Sequence, residues 1–251
     1  MHFSRMLVWL AAASTALFGA VGGGTFHWSG RVPPGQLIEV RGINGSIHAE
    51  PATGDDVDVI AYKNGQPYDP GNIEVRVVEH DGGVTISTVS HDAPEAPDSG
   101  GTIDFTVRVP KGVRFLARTV NGLVEANSLE ADTEAHTING NVRLSTAGAA
   151  QGDTVNGSII ASFGRITSPL KFSTVNGGIT LEMPADAGAQ VHANTLNGRI
   201  STDFRLALRG RFAAQRADGP IGRGGPELKL ATVNGSISLK RSRRPHRSFN
   251  I

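Results

Sequence analysis

The phrase Thr174-Val175-Asn176-Gly177-Gly178-Ile179 constrains this chain more than any other feature, because it returns along most of the length. Copies stand at residues 119–124, 137–142, 154–159, 195–200 and 232–237, with a divergent one at 42–47. In each, an aliphatic residue, Asn and Gly are followed two places later by Ile or Val. With 13 Asn and 32 Gly in 251 residues, Asn-Gly pairs would arise about twice by chance, so the chain is a repeat protein. Asn121, Asn139, Asn156, Asn176 and Asn197 follow one another at 18, 17, 20 and 21 residues. The step to Asn234 is 37, close to two periods, which predicts that one copy has decayed or been overwritten by the segment 205–226.

A strand rises ~3.3 Å per residue, so one period can trace a circuit of two or three short strands, with the next circuit ~4.8 Å above it. The fold expected is therefore all-β, a single-stranded β-solenoid built from ~18-residue T-V-N-G-x-I repeats. Stacking would place the aliphatic before each Asn, and the Ile or Val after each Gly, in inward columns. It would also pair each Asn amide with the next Asn carbonyl and use the Gly for a left-handed corner. The corner residues expected to hold the fold are Asn44, Gly45, Asn121, Gly122, Asn139, Gly140, Asn156, Gly157, Asn176, Gly177, Asn197, Gly198, Asn234 and Gly235. The alternative is an antiparallel β-meander in which each Asn-Gly is the type I′ turn of a hairpin. A meander gives no reason to keep Thr before and Ile after every turn in one phase.

Composition removes whole classes of chemistry. There is no Cys, which excludes disulfides, Cys-ligated zinc and thiol catalysis. Aromatics are 6% and the formal charge is +1, so nothing suggests a nucleic-acid partner. Residues 1–22 read as a signal peptide: Arg5 flanks an apolar run over 6–21, too short for a comfortable membrane span, and Ala20 and Gly22 suit a cleavage site. The chain is expected to be exported, to periplasm or cell surface, with an uncleaved N-terminal membrane anchor as the competing reading and no spanning helix beyond that segment. Residues 23–35 read as a linker and 36–242 as one β-domain. Within it, 36–110 are irregular, 111–204 hold regular repeats, 205–227 form an inserted loop and 228–242 the last repeat. A basic tail follows over 243–251.

The repeated T-V-N-G-S-I phrase, V-R-V-P-K-G at 107–112, L-E-M-P-A-D-A-G-A at 181–189 and G-G-P-E-L-K-L-A-T-V-N-G at 224–235 together resemble the bacterial adhesin-like family numbered DUF4097. The resemblance covers roughly residues 36–240. It implies an exported domain of β-helix-like repeats with no assigned catalytic activity, and the adhesin label is itself a weak guide to function.

Asp55, Asp56 and Asp58 lack the spaced ligands of a calcium loop and read as a solvated turn. Glu125, Glu130, Asp132, Glu134, Asp153, Glu182, Asp186 and Asp203 occupy different phases of the repeat. A polysaccharide-active β-helix enzyme, the alternative function, would need two of them facing each other in a groove. The eight His suggest no metal, and no cofactor motif or nucleophile elbow is present. Two basic groups stand out: Arg205, Arg209, Arg211, Arg216 and Arg223 in the segment that breaks the repeat, and Lys240, Arg241, Arg243, Arg244 and Arg247 at the C-terminus. They can be a solvated cover for open strand edges or a surface for anionic envelope polysaccharide or lipid. The function expected is thus a non-catalytic, structural or adhesin-like envelope protein. A third reading is an envelope-stress accessory that acts through another envelope protein.

Overall fold

The computed structural model describes residues 16–18, 24–64, 73–90, 101–210 and 214–242. The expected export segment, apart from 16–18, and the basic tail lie outside the described residues. Alternating apolar and polar residues give strands wherever the core needs one wet and one dry face. Twenty-two strands and no helix are found among the described residues. The first eight are β1 (Ala16–Phe18), β2 (Thr25–Arg31), β3 (Leu37–Arg41), β4 (Ile47–Pro51), β5 (Asp56–Asn64), β6 (Ile73–His80), β7 (Gly83–Ser90) and β8 (Thr102–Val109). The repeats supply β9 (Arg114–Arg118), β10 (Val124–Leu129), β11 (Thr133–His136), β12 (Val142–Thr146), β13 (Ala150–Asn156), β14 (Ile159–Ser162), β15 (Leu170–Asn176), β16 (Ile179–Met183), β17 (Ala189–Asn197) and β18 (Ile200–Thr202). The last four are β19 (Ala207–Arg209), β20 (Gln215–Ile221), β21 (Glu227–Asn234) and β22 (Ile237–Arg241).

Two mixed sheets face each other across one core, and neither closes into a barrel. The twelve-stranded sheet runs β1-β6-β7-β3-β9-β11-β13-β15-β21-β17-β20-β19, and the ten-stranded one runs β18-β22-β16-β14-β12-β10-β4-β8-β5-β2. Pairing is parallel from β7 through β17 in the first and from β8 through β18 in the second. The flanking strands are antiparallel. The strand before each repeat Asn-Gly lies in the twelve-stranded sheet, and the strand after it lies in the other. Each Asn-Gly therefore carries the chain between sheets.

All seven repeat Asn lie in one row, in the spatial order Asn44, Asn121, Asn139, Asn156, Asn176, Asn234, Asn197. The last two are out of chain order. The 37-residue step thus hides no lost copy: β21–β22 fills the place between β15–β16 and β17–β18, and the segment expected as an inserted loop holds β19 and β20. What permits this is phase, because the Asn234 copy presents the same corner groups to Asn176 on one side and to Asn197 on the other.

The Ile or Val after each Gly forms the inward column: Ile47, Val124, Val142, Ile159, Ile179, Ile237 and Ile200 are at most 3% exposed. The aliphatic before each Asn does not point inward as expected. Ile43, Ile138, Val155, Val175, Val233 and Leu196 are 38–57% exposed, and Val120, the seventh, is half-buried. Side chains alternate along a strand, and Leu170 and Phe172 already point inward in β15, so Thr174 must follow them in and Val175 must point out. Of the residues before the Gly, the buried one is the Thr. Its hydroxyl donates to the Gly carbonyl of the neighbouring corner, at 2.8–3.1 Å, from Thr119, Thr137, Thr154, Thr174, Thr232 and Thr195 in turn.

The corner Gly also has a different reason than the one expected. Of the seven, only Gly45 and Gly177 have positive φ. A Cβ on Gly157 would instead lie 1.8 Å from the Gly140 carbonyl oxygen, and one on Gly235 would lie 1.8 Å from that of Gly177. Close approach of successive backbones, more than handedness, excludes a side chain there. The Asn side chains form a continuous exposed ladder, each Nδ2 donating to the next Oδ1 at 2.7–2.9 Å. Phe26 and Trp28 from β2, and Phe204 and Leu206 after β18, pack on the core.

These contacts rank the corner residues. In equilibrium urea unfolding, Gly157→Ala should cost about 2–4 kcal/mol, Thr174→Val about 1–2 and the solvent-exposed Asn156→Ala about 1. Equal costs for Gly157→Ala and Asn156→Ala would refute the close-approach argument.

Candidate functional site

The outward face of the twelve-stranded sheet is organised by the same phase that builds the core. Every residue three places before a repeat Asn falls in one row, Arg41, Arg118, His136, Asp153, Ser173, Ala231 and Asn194, which Arg216 of β20 and Arg209 of β19 extend. The row changes character along its length.

At its first end, Glu39 is nearly buried and accepts from Arg41 Nε and Nη2 at 2.7 and 2.8 Å, with Arg118 Nε at 3.5 Å. In the middle, Asp153 accepts from Gln151 Nε2 at 2.9 Å and from the Ser173 hydroxyl, and His136 Nδ1 stands 3.2 Å away. Burial alone would raise the Asp153 carboxyl, but the bonds from His136, Ser173 and Gln151 outweigh it and hold the group at about 2. Ser173 and His136 both bond this weakly basic carboxylate and not each other, so the cluster lacks the nucleophile-to-base contact of a catalytic triad. At the far end, Arg216 and Arg209 are directly opposed across the β19–β20 pair. Asp218 accepts from Arg216 Nε and Nη2 and stands 3.0 Å from His192 Nδ1, and its carboxyl is lowered by Arg216 first and His192 second. Arg209 makes no ion pair among the described residues.

Between Asp153 and the two arginines the row carries only Ser173, Ala231 and Asn194. These small side chains leave a cleft of about 650 Å³, walled on the corner side by the exposed Val175, Val233 and Leu196 and closed at its end by Arg209 and Arg216. Two expected anion-binding residues are thus brought together. Arg205 and Arg223 are exposed in connecting segments, and Arg211, Arg243, Arg244 and Arg247 lie outside the described residues. Lys240 and Arg241 belong to the other sheet, in a second cleft of about 720 Å³ shared with Glu182 and Asp203. There Asp203 accepts the Arg241 backbone N–H at 2.9 Å, and the Arg241 guanidinium sits 5.3 Å from the Phe204 ring centre. Of the other acids, Glu125 accepts from Asn127 and stands 3.4 Å from His48 Nδ1, Glu130 pairs with Lys111, Asp132 accepts the Ala149 N–H, and Glu134 stands 3.5 Å from His136 Nε2. No group of His, Asp and Glu able to hold a metal is present among the described residues, nor is a helix long and apolar enough to cross a membrane.

Sequence reasoning found the repeat phase but did not read position −3 along it. That offset alone would have aligned Asp153, Ser173 and His136. The Arg209–Arg216 pairing carried no such signal, because it depends on β19 and β20.

No family model and no curated protein matches the chain. Among solved structures, a proposed cell adhesion protein from Clostridium sporogenes ATCC 15579 superposes with a TM-score of 0.46 at 10% identity, covering 87% of this chain and 100% of its own. A proposed adhesin from Bacteroides fragilis NCTC 9343 gives 0.45 at 15%, covering 88% and 98%. At these scores the likeness carries no argument about what this chain binds, and the resemblance to DUF4097 rests on its sequence phrases.

The Asp153 cluster makes a pH prediction. A carboxyl at about 2 in the folded state, against ~3.9 unfolded, contributes stability that is fully present above about pH 4 and is lost as pH falls toward 2. After discounting for partial exposure this amounts to ~1–2 kcal/mol. Asp153→Asn should flatten the acid limb of stability between pH 4 and 2. An unchanged acid limb would show that the hydrogen bonds are not held in solution.

Proposed function

We propose that this chain is a non-catalytic, exported envelope protein whose parallel circuits form a β-solenoid rod, and that the cleft on its twelve-stranded sheet binds an anionic envelope polysaccharide. One observation carries the reading. Arg209 and Arg216 are opposed at the end of a cleft, and the pair has one carboxylate partner, Asp218, among the described residues. Like charges directly opposite each other on a sheet are destabilising, and an anionic group bridging them relieves that cost. Sugar rings suit the rest of the cleft, where the Ser173 hydroxyl and the Asn194 amide face the polar edge of a ring and Val175, Val233 and Leu196 face its apolar side. The rigid rod matters because it fixes these groups on strands, which positions them at no further ordering cost when the polymer binds.

Export is inferred from the basic and apolar sequence of residues 1–22, whose removal would take β1 from the edge of the twelve-stranded sheet and leave β6 there, and the polymer from the chemistry of the cleft. Binding of the full chain to a carboxylated polysaccharide, followed by titration calorimetry at low and moderate salt, tests the reading. Arg209→Gln with Arg216→Gln should weaken binding about tenfold or more and make it less salt-dependent. Undiminished binding by the double variant would remove the cleft from the account. Loss of binding on deleting 243–251 instead would move recognition to the tail.

A further inference from the structure

The place of the last repeat in the stack has a consequence for assembly. We propose that β21–β22 is an exchangeable element, which two copies of this chain trade reciprocally to form a closed dimer.

The corner of the element is held by groups that every repeat supplies, and the end of β22 adds contacts of its own, from the Arg241 N–H to Asp203 and from the Arg241 guanidinium to the Phe204 ring. On one side Gly177 N donates to Asn234 O at 3.0 Å, Ile179 N donates to Ser236 O at 2.9 Å and Thr232 donates to Gly177 O at 2.9 Å. On the other, Gly235 N donates to Asn197 O and Ile237 N to Arg199 O, both at 3.0 Å, and Thr195 donates to Gly235 O at 2.8 Å. The place it fills also needs an occupant. Leu228, Leu230, Ile237 and Leu239 are at most 1% exposed, so removing the element bares the core and four parallel strand edges together, those of β15 and β17 in one sheet and of β16 and β18 in the other. Both neighbours, β15–β16 and β17–β18, precede it in the chain, so the acceptor can form before its own C-terminal repeat arrives.

The connection into the element is short and crowded. β20 and β21 flank β17 on opposite sides, so residues 222–226 must cross over it. That crossing uses positive φ at Gly222, Gly224 and Gly225. A Cβ on Gly188 beneath it would lie 2.3 Å from the Gly224 carbonyl oxygen, and one on Gly222 would lie 2.5 Å from that of Ala187. Opened out, five residues reach ~17 Å, enough to leave one copy for another. Short, crowded hinge loops favour exchange over closure within one chain. Beyond β22 no further described strand locks the element in. Each copy would lend its element and receive one, which satisfies every edge and gives a two-fold dimer.

The absence of native Cys makes the test clean. Lys171 and Lys229 are register partners on β15 and β21, close enough across parallel strands for a disulfide. Full chains carrying Lys171→Cys and full chains carrying Lys229→Cys, one of the two isotope-labelled, are refolded together and oxidised. The disulfide-linked peptide joining positions 171 and 229 is then read by mass spectrometry. The expected result is an interchain peptide whose yield rises about tenfold between dilute and concentrated refolding, with little when chains are mixed already folded. No interchain peptide at high concentration, while a chain carrying both substitutions cross-links internally, overturns the proposal. Failure of that double variant to cross-link internally overturns it as well, since the strand order itself is then different.

Discussion

How closely one corner can approach the next is the constraint on which this fold depends. Backbone bonds between parallel strands bring each Gly carbonyl to within 1.8–2.0 Å of where a Cβ on the next corner Gly would stand. That distance admits hydrogen and nothing larger. The same carbonyl accepts the hydroxyl of the next Thr, so the tightest point of the corner is also where its buried polar group is satisfied. A Val at the Thr position would fill the space but leave the carbonyl one partner short. The phrase Thr-Val-Asn-Gly-x-Ile is therefore a set of solutions to one packing problem: hydroxyl inward, aliphatic outward, amide along the ladder, no side chain at the contact, and a branched aliphatic to start the next sheet.

Once every corner solves that problem in the same way, repeats become interchangeable, and chain order stops determining spatial order. Loop entropy grows slowly with length, so a long return from β18 to β21 costs little more than a short one. The gain is a stack whose end is closed by β17 and β18, with antiparallel β19 and β20 beyond, instead of a stack that ends on its own C-terminus. Antiparallel strands stand at all four sheet ends except the β18 edge, which is three residues long. Short or reversed edges of this kind limit the templating of foreign strands.

The rigid face that results turns repeat positions into rows, and rows into sites. Along the outward face lie a buried acid between two arginines at one end, a low-lying carboxylate in the middle and an opposed arginine pair at the other. Nothing in the corner chemistry demands these residues, since the outward face is free to vary while the inward face is not. Function on such a scaffold is written at the exposed phases.

Much of this was legible in the chain itself. The repeat points to an all-β fold with its Asn corners in phase, because a hexad that recurs with Thr, Asn, Gly and Ile in fixed places lets each meet its own kind. The inward role of Thr against Val was not legible, since both suit a strand and only the phase set by Leu170 and Phe172 decides between them. Nor was the need for Gly, which at five of the seven corners comes from a neighbouring backbone and not from its own φ. Only tertiary structure placed Asn234 between Asn176 and Asn197, because identical corners carry no label of order. Only it set Arg209 against Arg216, because that pairing belongs to strands outside the repeat, where no periodicity constrains what lies opposite what.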